Sequence, residues 1–462
     1  MTEKLRGLAL YVGPILALII GFTMAEYGWS REAYLTAALT VLCAIWWIFE
    51  PIPIPATSLI PIGAFPLLGI LDGKQVAAAY GHYLILLLMG GAMLSKAMEK
   101  SGAHRRVALG MVNLFGGGSP RMLVLGFMSA AALLSMWISN TATTLMLLPV
   151  ALAVLDSAPE KATTQKLAVP LLLGIAYASS IGGLGTLIGT PPNVIFLENY
   201  RMASGIEPTF VGWMQWAMPV VVIFIPLAAI WLTRKLGHAA ELHVPQQGAW
   251  RKEEIRVLVV FGITALAWAT LKEPFGGWTT WFNLPTANYA SVALLAVVVL
   301  CVLPDGKGGK LLNWEYASQI QWGVLLLFAG GLVIAKAFGE TGLSEAIGNQ
   351  LAGLATLPTV LLVLCVALGV TFLTEITSNT ATTTLLMPIL AAAAVSNNIE
   401  PALIMLPAAM SASCAFMLPV ATAPNAIIYG SGKVRVEDMV REGFVLNLIG
   451  AVIITVVCVV MI

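Results

Sequence analysis

The stretch SNTATT stands at 139–144 and again at 378–383. Each copy runs on into an apolar segment that ends in proline, LMLLP at Pro149 and TLLMP at Pro388. Each copy also lies inside one of the most apolar regions of the chain, 122–155 and 359–395. A helix that crosses a bilayer needs about 20 apolar residues. The motif cuts both regions into pieces too short for that, and the pieces read as the arms of two re-entrant hairpins.

Composition sets the surroundings. The 462 residues are 59% hydrophobic and 10% charged, against roughly 25% charged in soluble proteins. That places the chain among all-α polytopic membrane proteins in contact with the lipid bilayer. A net charge of +1 gives no footprint for nucleic acid. Cys43, Cys301, Cys365, Cys414 and Cys458 all lie in apolar runs without metal-ligand spacing and read as buried thiols. The run at 8–27 is longer than the apolar part of a signal peptide, although Thr23-Met24-Ala25 resembles a cleavage site, so it reads as a retained helix.

Eleven spans are expected, at 8–27, 33–50, 54–71, 77–97, 168–200, 211–233, 255–272, 286–303, 322–338, 402–430 and 444–462. With the N-terminus cytoplasmic and both hairpins re-entrant, only Arg31, Lys74, Arg201, Lys272 and Lys336 of the 24 lysines and arginines fall outside. Such a bias towards the inner face is what topology selects. The C-terminus then lies outside.

The chain is duplicated. MGGAMLSKAMEKSG at 89–102 matches AGGLVIAKAFGETG at 329–342, and GTPPNVIF at 189–196 matches ATAPNAIIY at 421–429. With the SNT pair these give three ordered matches, at offsets of 240, 239 and 232 residues. An odd number of spans separates the copies, so the second unit is inverted in the membrane. The units read as an N-terminal helix at 1–30, a first repeat at 31–234, a cytoplasmic linker at 235–256 and a second repeat at 257–462. Inverted repeats with interrupted helices are the usual build of secondary transporters, with the site near mid-membrane between the repeats.

Ser139, Asn140 and Thr141 suit the start of the second hairpin arm, and in one copy alone would serve simply as a helix cap. The duplication and the depth in the membrane favour a binding role. GGLGTLIGTPPN at 182–193 breaks one long apolar region, and LPVATAPN at 418–425 breaks its mate. A plain proline kink is the competing explanation. Matching interruptions in both halves instead mark a transport site. No lysine or arginine lies near either motif in sequence, so an anion held there must be met by hydroxyls, amides, helix termini and accompanying cations. Those oxygen donors suit a hard cation such as sodium.

Glu375 is the acidic residue beside a tip, and Met136 occupies its place in the first copy. It reads as a structural hydrogen-bond acceptor in preference to a proton carrier. Histidines 82, 104, 238 and 243 form no cluster, and no nucleophile, metal or nucleotide motif points to an enzyme or to a bound cofactor. Trp278, Trp281 and Phe282 read as interfacial anchors in an outer loop.

The paired SNT motifs, the GTPPN and ATAPN turns, TEITSNTA at 374–381 and EPIPIPATSLIP at 50–61 resemble the divalent anion/sodium symporter family, which includes the INDY di- and tricarboxylate transporters. The resemblance covers essentially the whole chain. It implies a homodimeric elevator-type transporter of the bacterial inner membrane, with two or more sodium ions coupled to a small di- or tricarboxylate. By motif match, one sodium site would use Ser135, Ser139, Asn140 and the carbonyl of Gly189. The other would use Thr374, Thr377, Asn379 and the carbonyl of Ala421, with Thr377 acting through its backbone. Substrate would meet Asn140, Thr141, Asn379, Thr380, Thr190, Pro191, Thr422, Ala423 and Pro424. The leading expectation is sodium-coupled import of succinate, malate or fumarate. Alternatives on the same fold are a sodium-independent exchanger and a permease for citrate or sulfate. A channel is disfavoured because selectivity rings are usually assembled from several subunits.

Overall fold

The computed structural model describes residues 3–115, 119–156, 161–237, 248–351, 353 and 356–462. These residues form helices and connecting turns, with no strand among them beyond one isolated bridge between Pro304 and Lys310. Eight of the helices are long and apolar enough to cross a membrane. Residues 238–247 of the expected linker lie outside the described residues, His238 and His243 among them, and α12 begins at Lys252 within its range.

In chain order the helices are α1 Glu3–Glu26, α2 Arg31–Phe49, α3 Ile54–Leu67, α4 Gly73–Tyr80, α5 Tyr83–Ser101, α6 Ala103–Phe115, α7 Pro120–Ser135, α8 Asn140–Asp156, α9 Lys161–Gly182, α10 Pro191–Ser204 and α11 Phe210–Thr233. The second half contains α12 Lys252–Ala269, α13 Gly277–Trp281, α14 Tyr289–Val302, α15 Trp314–Ala317, α16 Trp322–Glu340, α17 Leu343–Gln350, α18 Thr359–Thr374, α19 Asn379–Ser396, α20 Pro401–Ser411, α21 Ala423–Gly430 and α22 Val436–Met461.

Two expected spans are corrected. The span at 54–71 stops at Leu67, because the chain turns at Gly69 in the left-handed region (φ 74°) and Asp72 forms a capping box with Gln75 that starts α4. The span at 77–97 is divided between α4 and α5, and the His82 ring accepts a hydrogen bond from the Leu84 amide at the junction. The expected interruptions are present. α9 ends at Gly182 and α10 begins at Pro191; α20 ends at Ser411 and α21 begins at Ala423.

The two halves interlock in matching pairs. α5 packs on α14, and its counterpart α16 packs on α3. The repeated Gly-Gly pair makes this possible. A Cβ on Gly90 would lie 2.7 Å from the Ala293 Cβ, and one on Gly330 would lie 2.8 Å from the Ser58 carbonyl oxygen. Small residues at such crossings let helix backbones approach in lipid. Across the centre, α10 of the first half packs on α19 of the second, while α21 of the second packs on α8 of the first. The main core surrounds these hairpins and interrupted helices; a smaller one gathers α2, α3, α4, α16 and α17 around Trp47, Phe65 and Phe338. α1 lies outermost against α2, with Tyr11 and Phe22 exposed as lipid contact demands.

Polar contacts sort into two groups at opposite helix ends. Arg106 pairs with Glu254 at 2.8 Å, Lys307 with Glu253 at 2.7 Å and Arg234 with Glu442 at 2.7 Å, while Lys100 donates to the Lys310 carbonyl at 2.8 Å. The other group contains Arg201–Glu198 at 2.6 Å and Lys272–Glu207 at 3.0 Å. Among the described residues no acid pairs with both groups, and Glu253 and Glu254 at the start of α12 stand at the opposite end of that helix from Lys272. Trp278 departs from the anchor expectation: it is half-buried and donates its Nε1–H to the Ala267 carbonyl at 2.9 Å, leaving Trp281 and Phe282 as the exposed rings.

Candidate functional site

Three of the hairpin arms, α7, α8 and α18, have 16, 17 and 16 residues and rise roughly 24–26 Å at 1.5 Å per residue, short of a 30 Å hydrocarbon core, while α19 with 18 residues is one of the eight helices long enough to cross. Both tips end at a shared cavity within the protein. Ser139 caps the first tip, its Oγ accepting from the Ala142 amide at 3.2 Å; Ser378 stands at the equivalent place without a side-chain cap. One amide oxygen is held in each tip by the residue five positions earlier. Ser135 Oγ donates to Asn140 Oδ1 at 2.5 Å, and Thr374 Oγ1 donates to Asn379 Oδ1 at 2.7 Å.

The breaks are held by a matched pair of asparagines. The Asn193 amide donates to the carbonyls of Gly183 at 2.9 Å and Thr186 at 2.7 Å. The Asn425 amide donates to those of Ala415 and Leu418, both at 3.0 Å. Thr186 Oγ1 ties the first break to its hairpin by donating to the Met136 carbonyl at 2.5 Å. The second break uses Glu375 instead. That carboxylate accepts from the amides of Phe416 at 2.7 Å, Met417 at 2.9 Å and Leu418 at 3.0 Å, and from Asn447 Nδ2 at 2.7 Å.

These four elements meet at one cavity of about 320 Å³. Its wall contains Ser139, Asn140 and Thr141 from the first tip and Ser378, Asn379 and Thr380 from the second. Gly189, Thr190 and Pro191 come from the first break, and Ala421, Thr422, Ala423 and Pro424 from the second. α8, α10, α19 and α21 all begin at this wall, so four helix N-termini point their partial positive charge at the same space. Gly183 admits Asn140 to the first break: a Cβ there would lie 2.8 Å from Asn140 Oδ1 and 3.4 Å from the Gly189 carbonyl oxygen.

Ser135 and Thr374 lie beneath the wall, fully buried behind the asparagines they hold. Thr377 reaches the cavity but turns its hydroxyl away, donating to the Leu373 carbonyl at 2.9 Å and meeting Thr382 Oγ1 at 2.5 Å. The expectation of no basic residue nearby is corrected in three dimensions. Arg6 of α1 lines the cavity, paired at 3.7 Å with Glu50, whose φ of 49° ends α2 in the left-handed region. Gln321, just before α16, and Val324 within it also line the wall, as do Ile376 and Val420.

A second cavity of about 530 Å³ shares Ser139, Thr141, Gly189, Pro191, Gln321 and Val324 with the first. It continues past Ser95 to Lys96, Glu99 and His104, the helix end where Lys100 and Arg106 make their contacts. The site thus has a passage towards that face. The oxygens of the tips and breaks are neutral and hard, a donor set for an alkali cation together with an anion.

Residues 6–461 match the family described as the sodium:sulfate symporter transmembrane region. The chain belongs to this family. It is 39% identical to the sodium-dependent dicarboxylate transporter SdcS of Staphylococcus saprophyticus, over 97% of this chain and 90% of that protein. It is equally similar to SdcS of Staphylococcus aureus strain USA300, over 97% and 89%. Solved structures with a similar fold include the YdaH transporter of Alcanivorax borkumensis, at a TM-score of 0.57, 14% identity and coverage of 90% of this chain and 97% of that one. MtrF of Neisseria gonorrhoeae gives a TM-score of 0.56 at 12% identity, over 94% and 96%. The chain is therefore an integral membrane protein of a transporter family.

Proposed function

We propose that this chain imports C4-dicarboxylates such as succinate, malate or fumarate together with sodium. The observation that carries the reading is the meeting of both SNT tips and both breaks at one cavity fed by four helix N-termini. A dianion there gains from four partial positive charges, and Arg6 adds little because Glu50 pairs with it. Sodium supplies the remaining positive charge. One ion would sit among Ser135, Ser139, Asn140 and the Gly189 carbonyl, the other among Thr374, Asn379, the Thr377 backbone and the Ala421 carbonyl. Asn140 and Asn379 each offer an oxygen to the cation and an N–H to the anion. Thr141 and Thr380 donate to one carboxylate each. The names borne by the staphylococcal relatives support both sodium and dicarboxylate.

The reading extends to an elevator movement, in which the hairpins and interrupted helices travel as a unit against α3, α5, α14 and α16 of a homodimer in the bacterial plasma membrane. The repeats are inverted, the nineteen-residue basic face is cytoplasmic, and the larger cavity is the inward path. A second reading, transport of sulfate on the same site, takes its support from the family's description.

Coupling is tested by calorimetry. Because linkage is reciprocal, succinate should bind more tightly in sodium than in choline buffer, and sodium more tightly with succinate present. Equal succinate affinity in the two buffers would sink sodium coupling, and sulfate outcompeting succinate at equal concentration would favour the second reading.

The threonines give a graded test. Thr141→Val or Thr380→Val keeps the shape and removes one donor to a charged group. That loss is about 1.5–3 kcal/mol, or roughly 10- to 150-fold in succinate affinity. The sodium response without substrate should persist. Unchanged succinate affinity in both variants would remove the threonines from the substrate site.

A further inference from the structure

We propose that the chain carries an anionic phospholipid site at the end of the molecule where α9 begins, away from the transport cavity. A pocket of about 300 Å³ lies between α9, α11 and α22, with Lys166, Arg234, Lys235 and Arg441 around it and Glu442 as the one carboxylate lining it among the described residues. The arginines are held in place. Buried Glu442 takes Arg234 at 2.7 Å and Arg441 at 3.0 Å, and the Arg234 guanidinium lies 3.6 Å over the Trp231 ring. A guanidinium has five donors, so both retain N–H groups for a further acceptor. Lys166 and Lys235 are exposed and make no ion pair or hydrogen bond among the described residues. Arg441 also pairs with Asp438 at 3.3 Å, so the excess positive charge of the pocket rests on Lys166 and Lys235.

Depth in the membrane selects a lipid over a free anion. Lys166 opens one spanning segment and Thr233 closes another, so the pocket sits where hydrocarbon gives way to headgroups. Its floor is apolar, made by Val169, Pro170, Leu232 and Leu236. A phosphodiester on the basic rim with the start of an acyl chain on that floor satisfies both. Basic pockets between membrane helices at this level take anionic headgroups. The site joins the first arm of the interrupted helix α9 to both α11 and α22, so occupation should stabilise the folded chain.

The test uses the purified full chain in detergent. Phosphatidylglycerol should raise its Tm, and phosphatidylcholine should not. Lys166→Gln combined with Lys235→Gln should weaken the phosphatidylglycerol response roughly 30-fold, from about 1 kcal/mol per lysine near an anionic lipid surface. Neither lysine holds the fold, and Lys74→Gln on the opposite face should leave the response unchanged. An equal rise with phosphatidylcholine, or an unaltered response in the double variant, overturns the site. If millimolar inorganic phosphate reproduces the rise, the pocket is a free-anion site and the lipid assignment falls.

Discussion

Replacing Asn140 or Asn379 by alanine should weaken the sodium response of the protein even with no substrate present, because each change removes a ligand from one of the two proposed ion sites. Each asparagine heads a helix whose N-terminus faces the cavity, and each amide oxygen is fixed by a buried hydroxyl, Ser135 at 2.5 Å and Thr374 at 2.7 Å. On the proposed assignment, alanine removes an oxygen offered to a cation and an N–H offered to an anion. Two interactions with charged groups amount to about 3–6 kcal/mol, more than roughly 150-fold in transport. The folded state should survive. The first tip is capped by Ser139, not by the amide, and losing a cap costs only about 0.5–2 kcal/mol. The released Ser135 hydroxyl adds a cost of its own, about 1–3 kcal/mol for a buried unmet group. Absolute Tm is therefore the wrong readout, and the sodium-induced change in Tm is the right one. A wild-type change in both alanine variants would remove the asparagines from the ion sites and leave them as tip architecture.

The same residues show what a sequence can and cannot reveal. Small polar residues flanked by long apolar runs have few explanations in a bilayer, so both tips were legible, and Gly-Pro clusters marked both breaks. Duplication turned each weak signal into a pair. The fate of individual hydrogen bonds was not legible: nothing local says that Asn193 and Asn425 each serve two carbonyls of their own break. Arg6 and Glu50 were missed for a different reason. Their approach depends on how α1 folds back against α2 and on where α2 stops, a contact between distant positions with no periodic signature. Gln321 likewise reaches the wall only because α16 starts there. The early stop of α3 was written in Gly69 and in Asp72 with Gln75, but continuous apolar character up to Leu71 concealed it.

The choice between structural and proton-carrying roles for Glu375 comes down to its donors. Four N–H groups aim at this carboxylate, three from the backbone at 416–418 and one from Asn447. All are donors, so the site asks for an acceptor on both oxygens, which the ionised carboxylate provides. Glu375→Gln preserves volume and cannot meet that demand. With the amide nitrogen at the Oε2 position, Leu418 N–H faces another donor; with it at Oε1, the amides of Phe416 and Met417 and the Asn447 side chain do. The milder arrangement loses one charge-assisted bond, weakens three others and leaves a buried N–H unmet, about 3–5 kcal/mol in all. Against typical stabilities of about 5–15 kcal/mol, that is a large fraction. The damage falls on the unwound segment between Ser411 and Ala423, which presents Ala421 and Thr422 to the cavity. Glu375→Gln should therefore lower Tm steeply and lose sodium and succinate binding together. The first copy does without the carboxylate because Thr186 ties its break to the tip, so the requirement belongs to the second half alone. A proton carrier predicts a different pattern: Glu375→Gln would keep the wild-type Tm and the sodium response while transport lost its dependence on pH. Measuring Tm, sodium shift and the pH profile of uptake on this one variant decides between the two.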